Sequence, residues 1–459
     1  MTPATWRMLA TLLMLLALIA HPHAASAPKF QIIHLADLHS AVDQYPTLLG
    51  ALTRLQADQP RTPRLILING DLFEAGDPIA ARSAGQLDWV LLERLRSFGP
   101  VVLNIGNHEF DVVDPDALVS RAAELDIILV GNVALTDGSA PAPAAVNVTV
   151  GNSELRIVGV TTDQLATWPP RLREQLQLSE PASWIEEHWQ ELTAGAELIV
   201  LASHAGLQAD RQMLATLARG PQPLLFFAAH DHLLLLDSIA GTPYVHSGSG
   251  AEYFALATIR LDSDAHPEAQ ITLIAAQGPE DAVMAKAVQQ LQDTKLASCE
   301  RQAVGWIDEA MALPDAARWA SAQLQQDPGV DAVFLNHTSF GAGLPAGALS
   351  RYRFDRFLRF DNGLMQVEVD AATLLRIAAR AQAQQSLPLA ERSGDRLHGI
   401  WPEPEDGRRY RLLTSDWIAM PANQPRYLGE TLPFEPVGGP SIKARLLETL
   451  QPHPTPDTR

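Results

Sequence analysis

Five short apolar runs in this chain each stop at a histidine, aspartate or asparagine, and that repetition constrains the fold more than any other feature. Phe30–Leu35 is followed by Asp37-Leu38-His39, Arg64–Ile68 by Asn69-Gly70-Asp71, and Val101–Ile105 by Gly106-Asn107-His108-Glu109. Glu197–Leu201 is followed by Ser203-His204-Ala205-Gly206, and Leu224–Ala228 by His230-Asp231-His232. The runs are β-branched or apolar and bounded by Gly, Asn, Asp or His, the pattern of buried strands; Ile127–Val130 and Leu155–Val160 read the same way. Between them, Thr47–Ala57, Ile79–Phe98, Pro115–Leu125, Ser183–Ala194 and Ala209–Arg219 read as helices. Asp114 is placed as an N-cap with Pro115 at the first helical position. Strands alternating with helices imply a layered α/β domain. Such sheets carry their sites at the carboxyl ends of the strands, where all five groups fall.

Further along, Thr242–Ser247, Phe254–Leu261 and Gln270–Ala275 read as strands without intervening helices. They are expected to complete a first domain over residues 28–278. A polar helix, Glu280–Ala297, is expected as a connector within 279–300. A second domain is expected over 301–450, with strands Ala332–Leu335, Leu364–Val369 and Tyr410–Thr414 and a helix Ala371–Gln384. The Pro-rich end, 451–459, reads as a disordered tail. A chain of 459 residues exceeds one ordinary core, which agrees with this division.

The start of the chain reads as a targeting segment. Arg7 is followed by an apolar run from Leu9 to Ala20 and by Ala25-Ser26-Ala27, a small-residue cleavage signal. The run is shorter than the roughly 20 residues of a spanning helix. Residues 1–27 are therefore expected to be a cleaved signal peptide, the alternative being an uncleaved anchor. The expected location is periplasmic or secreted, with no stable membrane insertion after cleavage. The single cysteine, Cys299, excludes an intrachain disulfide. A net charge of −19 disfavours polymeric nucleic acid and anionic lipid as partners. A small anionic substrate can bind only where local cations overcome that field. No oligomeric state follows from the sequence.

Mixed imidazole and carboxylate ligands suit Zn, Mn, Fe, Co or Ni and disfavour Ca. Seven residues, Asp37, His39, Asp71, Asn107, His204, His230 and His232, suffice for two divalent metal ions if one carboxylate bridges, and Asp71 is assigned as that bridge. Gly70, Gly106 and Gly206 let the backbone turn sharply beside the ligands. His34, His188 and His246 read as structural or exposed.

Asp37-x-His39, Gly70-Asp71, Gly106-Asn107-His108-Glu109, Ser203-His204 and His230-x-His232 resemble the signature blocks of calcineurin-like metallophosphoesterases. Their order and layout resemble more narrowly the 5′-nucleotidase/UDP-sugar hydrolase family, over roughly residues 29–430. The resemblance implies an α/β fold: a four-layer metallophosphoesterase sandwich followed by a smaller α/β C-terminal domain of the 5′-nucleotidase type. It implies a first metal on Asp37, His39, Asp71 and His232, and a second on Asp71, Asn107, His204 and His230. A water between the ions would attack phosphorus in line. His108 would be a catalytic non-ligand that stabilises the transition state or protonates the leaving oxygen, with Asp111 orienting it. Ala229 stands where the family usually has glycine.

In that family the second domain supplies specificity. The Asn-Gly-Gly-Gly-x-Arg block corresponds to Asn336–Pro345, which keeps the asparagine and lacks the arginine. Arg359-Phe360-Asp361-Asn362 resembles the Pro-Phe-x-Asn block, and Thr414–Ala419 the segment of the second base-stacking ring. The implied substrate contacts are Asn336, Phe360, Asn362 and Trp417. A Gly-Gly-Asp-Gly-Tyr block is replaced by Met420–Pro425. Arg351, Arg353, Arg356 and Arg359 read as an exposed basic helix face, with replacement of the missing charge as the alternative.

The expected function is an exported dinuclear-metal hydrolase of small phosphate esters, nucleotides first. The same site acting on a cyclic nucleotide, a UDP-sugar or a thiosulfate conjugate stays open. A non-catalytic metal- or ligand-binding protein is disfavoured, because loss of activity would have released His108 and Asp111 to drift.

Overall fold

The structure, a computed structural model, describes residues 29–450 except 218–220, 222, 240, 261–266, 393 and 395. The expected signal peptide and tail lie outside the described residues.

Two six-stranded sheets form the first part of the molecule. In the first, the order is Glu268–Ala275, Tyr253–Arg260, Phe30–Leu35, Arg64–Asn69, Val101–Asn104 and Ile127–Val130. The last four are mutually parallel, and Tyr253–Arg260 closes the other side antiparallel to Phe30–Leu35. The second sheet runs Leu234–Ile239, Thr242–Ser247, Leu225–Ala228, Ile199–His204, Ser153–Thr161 and Ala145–Val150. Side chains alternate across each strand. Phe30, Ile32, Leu65, Leu67 and Val102 therefore point between the sheets, against Ile157, Val200, Leu225 and Phe227. Ile33, Leu35, Ile66 and Ile68 point outward beneath a helical layer that includes Leu48, Leu52, Leu91 and Leu92. A second helical layer, with Ile185, Trp189 and Met213, covers the far face of the second sheet. The result is the expected helix–sheet–sheet–helix sandwich.

One expected helix, Ile79–Phe98, is two: Pro78–Ser83 and Gln86–Leu95. Between them Ala84 and Gly85 both adopt left-handed backbone, at φ 50 and 69. A Cβ on Gly85 would lie 2.5 Å from the Phe73 ring, so packing of that ring selects both the glycine and the break. Strands Ala145–Val150 and Leu234–Ile239 are additional to those expected. Both lie at the edges of the second sheet; Ala145–Val150 alternates buried and exposed positions at its end, which removes the continuous apolar signal, whereas Leu234–Ile239 starts in an apolar run, Leu233–Leu236, from which no strand was expected.

Within the stretch 279–300 the structure has the helix Ala282–Lys295. It lies on the first part, burying Met284 and Val288 in the same core as Leu48 and Leu52. Beyond it, a five-stranded sheet is ordered Leu397–Ile400, Ala332–Asn336, Arg409–Ser415, Leu364–Asp370 and Glu435–Pro436. Helices Leu313–Gln325 and Ile442–Thr449 cover one face and Ala371–Ser386 the other. Among the described residues, no helix is long and apolar enough to cross a membrane.

Candidate metal centre and active site

The parallel register brings the five strand ends to one rim. Thr161 pairs with His204, and Asn69 with Asn104, so the loops that follow start side by side. Beneath them the sheets are stapled together by buried amides. Asn69 Nδ2 donates to the carbonyls of Ser203 and Phe227, each at 3.1 Å, and Asn104 Nδ2 donates to Asn69 Oδ1 at 2.8 Å. Glu109 holds the loops above them. Its carboxylate accepts from the backbone N–H groups of Gly106, Leu72 and Asp71 at 2.5, 2.8 and 3.1 Å. This role is not legible in the sequence, since nothing local shows which N–H groups Glu109 meets.

All seven expected ligands converge here. Asp37, His39 and His232 offer donor atoms within 4.8 Å of one another, and Asp71, His204 and His230 do the same. Asp71 Oδ2 stands between the groups, 3.1 Å from His204 Nε2 and 3.6 Å from His39 Nε2. Five of the seven have left-handed backbone: Asp37, His39, Asp71, His230 and His232, with φ from 44 to 79. Non-glycine residues rarely take that conformation, and it clusters at functional sites where surrounding structure enforces it.

The residues fit a metal pair on their own chemistry. His39 Nε2 and His232 Nε2 face each other at 3.0 Å, so at most one proton, or one cation, can sit between them. Asn107 donates its Nδ2 to the Thr167 carbonyl at 3.2 Å, which leaves its buried Oδ1 without a partner. His204 Nε2 and His232 Nδ1 are likewise buried without an aligned hydrogen bond. Burial, then the nearby cations, pushes His39 and His230 each down to about 3, so both imidazoles keep the lone pair a metal requires. Burial alone would lower His204 too. The carboxylates of Asp71 and Asp37 outweigh it and push His204 up to about 10, an excess of negative charge that a metal ion could meet in place of that proton.

His108 is set apart. Its Nδ1 lies 2.8 Å from Asp111 Oδ2, its backbone N–H donates to Asp71 Oδ1 at 2.9 Å, and its Nε2 is 4.0 Å from Asp71 Oδ2. Burial opposes its protonation, but Asp71 and Asp111 together push it up to about 10. Asp111 is fixed in turn by the Ala75 N–H at 2.9 Å.

A cavity of about 250 Å³ opens over this rim, and its other wall belongs to the second part of the chain. Asn336, Phe360, Asn362 and Trp417 all line it. Phe360 is 40 % exposed and Trp417 is seated against the second part's core. Asn336 spends its side chain locally, with Nδ2 on Thr338 Oγ1 at 2.9 Å and Oδ1 on Ser339 Oγ at 2.8 Å. Arg426, Tyr427, Gln164 and Thr167 also line the cavity and were missed. Arg426 follows directly on the unusual Met420–Pro425 segment, which was the available signal; its Nη1 donates to Gln164 Oε1 at 2.8 Å. The arginine cluster corrects the exposed-face expectation. Arg351 does sit near the surface, paired with Asp355, but Arg356 and Arg359 are only 11 % and 6 % exposed and turn toward the first part of the chain. The other histidines behave structurally: His34 is buried in its strand, stacked on Phe227, and His246 meets the Tyr244 hydroxyl at 2.8 Å.

Comparison with known proteins agrees with this geometry. Residues 30–234 match the model of the calcineurin-like phosphoesterase family. No curated protein sequence matches the chain. Among solved structures, the chain is similar to a 5′-nucleotidase precursor from Thermus thermophilus, with 16 % identity, a TM-score of 0.60, and 92 % of this chain covering 96 % of that one. It is similar to the sulfate thiohydrolase SoxB of Thermus thermophilus, with 14 % identity, TM-score 0.62, and coverage of 94 % and 96 %. It is also similar to a 5′-nucleotidase from Candida albicans, with 15 % identity, TM-score 0.60, and coverage of 93 % and 98 %. At these identities the structures show a shared two-domain fold. Residues 30–234 thus form a domain that matches the calcineurin-like phosphoesterase model, and with the converging metal-type donors this supports a metal-dependent hydrolase of phosphate esters.

Proposed function

We propose that this protein is an exported hydrolase of small phosphate monoesters, nucleoside monophosphates first, working with two divalent ions. Asp37, His39, Asp71 and His232 would hold one ion, and Asp71, Asn107, His204 and His230 the other, with residues 28–278 as the catalytic domain and 301–450 as the specificity domain. The observation that carries the reading is the cavity itself: metal-type donors line one wall and Phe360, Trp417 and Tyr427 the other. A phosphoryl group on the first wall places its organic leaving group among the rings, whose stacking on a base is worth roughly 1–3 kcal/mol. When bound, the ions supply an activated water and neutralise the phosphoryl oxygens. The chain's own part is to place and protonate. Asp111 fixes His108 through Nδ1, so Nε2 faces the cavity and can deliver a proton to the departing oxygen. Arg426, at the rim, adds positive charge where an anionic substrate enters an otherwise acidic molecule.

The test is turnover by purified protein loaded with Mn or Zn, read as inorganic phosphate from nucleoside mono- and diphosphates, as nucleoside monophosphate from UDP-sugars and cyclic nucleotides, and as sulfate from a thiosulfate conjugate. The panel contains nucleoside mono- and diphosphates, UDP-sugars, cyclic nucleotides and a thiosulfate conjugate. Highest kcat/KM on a nucleoside monophosphate supports the reading. Preference for another member replaces the substrate and keeps the site. Inertness on all of them overturns the reading.

A further inference from the structure

We propose that the second domain is a structural part of one half of the metal centre: Arg356, Arg359 and His337 hold His39 and His232 in ligating position, whereas the His204–Asn107 half is oriented from within the first domain. The inference rests on the two-ion reading above.

The Asp37–Ser40 loop is strained, with Asp37, His39 and Ser40 all at φ between 44 and 51. Such a loop persists only where its surroundings hold it. Part of that hold comes from across the domain boundary. Arg356 Nη1 donates to the carbonyl of Ser40, the residue after His39, at 2.7 Å. The same guanidinium meets Asp77 Oδ2 at 3.1 Å, and Tyr352 Oη donates to that oxygen at 3.0 Å.

Arg359 acts one step closer. His39 presents Nε2 to His232 and Asp71, so to ligate through Nε2 it must carry its proton on Nδ1. That N–H needs an acceptor, and a metal-bound histidine commonly finds one in a carboxylate. Glu74 Oε2 stands 3.4 Å from His39 Nδ1. Arg359 pairs with the same carboxylate, its Nε at 2.9 Å and its Nη2 closer still. Nη2 is also 2.9 Å from His39 Nδ1; in the ligating tautomer it cannot donate there, and its partner is Glu74 alone. Without Arg359, Glu74 would keep the Gly76 N–H on Oε1, at 2.9 Å, and the more distant His108, but Oε2 would lose the guanidinium that holds it against His39.

His337 stands against the other ligand. Its ring meets His232 edge-on, with centroids 6.4 Å apart, and its Nδ1 is pinned by His398 Nε2 at 2.9 Å. This residue occupies the place of the first glycine in the block that the resemblance aligns with Asn336–Pro345. The other half of the centre is oriented differently. His204 Nδ1 is set by the Asn69 carbonyl at 2.8 Å, and Asn107 Nδ2 by the Thr167 carbonyl at 3.2 Å, both in the first domain.

The experiment is calorimetric titration of the metal-free full chain with Mn2+, with the Mn electron-spin spectrum recorded at each step. The wild type is expected to take up two ions and develop a spin-coupled signal. Arg359→Met and His337→Ala should each weaken one ion by about tenfold or more and leave the other unchanged, giving a mononuclear spectrum. Arg359→Lys, which keeps a cation beside Glu74, should restore most of the loss. Leu375→Ala, in the same domain on the exposed face of helix Ala371–Ser386, should leave uptake as in the wild type. Combining Arg359→Met with His232→Ala should cost no more than His232→Ala alone, whereas combining it with His204→Ala should abolish uptake. Two ions at wild-type affinity in both variants, or equal weakening of both ions, overturns the proposal while sparing the two-ion reading. A wild type that takes up fewer than two ions overturns that reading and the proposal with it. Near-UV circular dichroism of each variant verifies the fold, and a variant that loses it is replaced in the comparison by Arg356→Met, for which the same loss of one ion is expected.

Discussion

The Nδ1 of His108 lies 2.8 Å from Oδ2 of Asp111, and Asp111 is itself held by the Ala75 N–H. This chain of contacts selects one tautomer and one ring orientation. An imidazole fixed in this way can donate from Nε2 into the cavity. His108→Ala should lower kcat by ~10²-fold or more with metal content unchanged, because proton transfer by a placed side chain contributes on that scale. Asp111→Asn should cost less and should not shift KM in proportion. Steady-state kinetics with metal analysis of the same samples checks both. Loss of metal in His108→Ala would show that this ring is a ligand instead.

Gly70 and Gly106 are required by shape. Gly70 has φ +80, and a Cβ there would lie 2.3 Å from His204 Nδ1; a Cβ on Gly106 would lie 2.5 Å from Asp71 Oδ1. Neither neighbour can retreat without abandoning its position in the centre. Gly70→Ala and Gly106→Ala should each destabilise the protein by about 1–3 kcal/mol, as overpacking does. They should also lower metal content, unlike Gly195→Ala, where the added Cβ meets open space. Thermal melts and metal analysis distinguish them.

The rings opposite the metal wall should act on binding. Phe360→Ala and Trp417→Ala are expected to raise KM for a nucleoside monophosphate by ~10-fold to ~100-fold with little change in kcat, from the usual worth of base stacking. For a phosphate ester without a ring the same substitutions should leave KM nearly unchanged. An equal effect on both substrates would place the rings in the core and outside the binding surface.

Asp88 gives the protein a pH-dependent weakness. It is fully buried, and burial pushes its carboxyl up to about 7 although Tyr45 and Ser40 hydrogen-bond it, at 2.5 and 3.2 Å. The folded state therefore holds this proton more tightly than the unfolded chain. Its contribution is fully present below about pH 4 and is lost as pH rises toward 7, by at most about 4 kcal/mol. Asp88→Asn removes the titration and keeps an acceptor for Tyr45. The wild type should lose stability relative to the variant across that window in urea titrations; parallel curves would refute it.

How much of this was legible can be argued residue by residue. The rim positions of Asp37, His39, Asp71, Asn107, His204, His230 and His232 could be read because each follows an apolar run. Strand period and the carboxyl-end rule place such residues without knowledge of the partners. The break at Ala84-Gly85 could not be read, since it answers to the Phe73 ring packed against it. Nor could the burial of Arg356 and Arg359, which meet Ser40 and His39 across sequence separations of 316 and 320 residues.

By itself the sequence determined the layered α/β architecture, the candidate donors at the strand ends and the phosphoester chemistry, because these follow from local periodicity and from the donor atoms each residue carries. Only the tertiary structure decided how those donors are oriented. Left-handed backbone at five candidate donors, Glu109 binding three loop amides, and Arg356 and Arg359 seated against the Asp37–Ser40 loop are outcomes of packing. Their energies come from burying charges and amides, and apart from Glu109 on the Gly106 N–H the partners are distant, so no window along the chain contains both halves of such a contact.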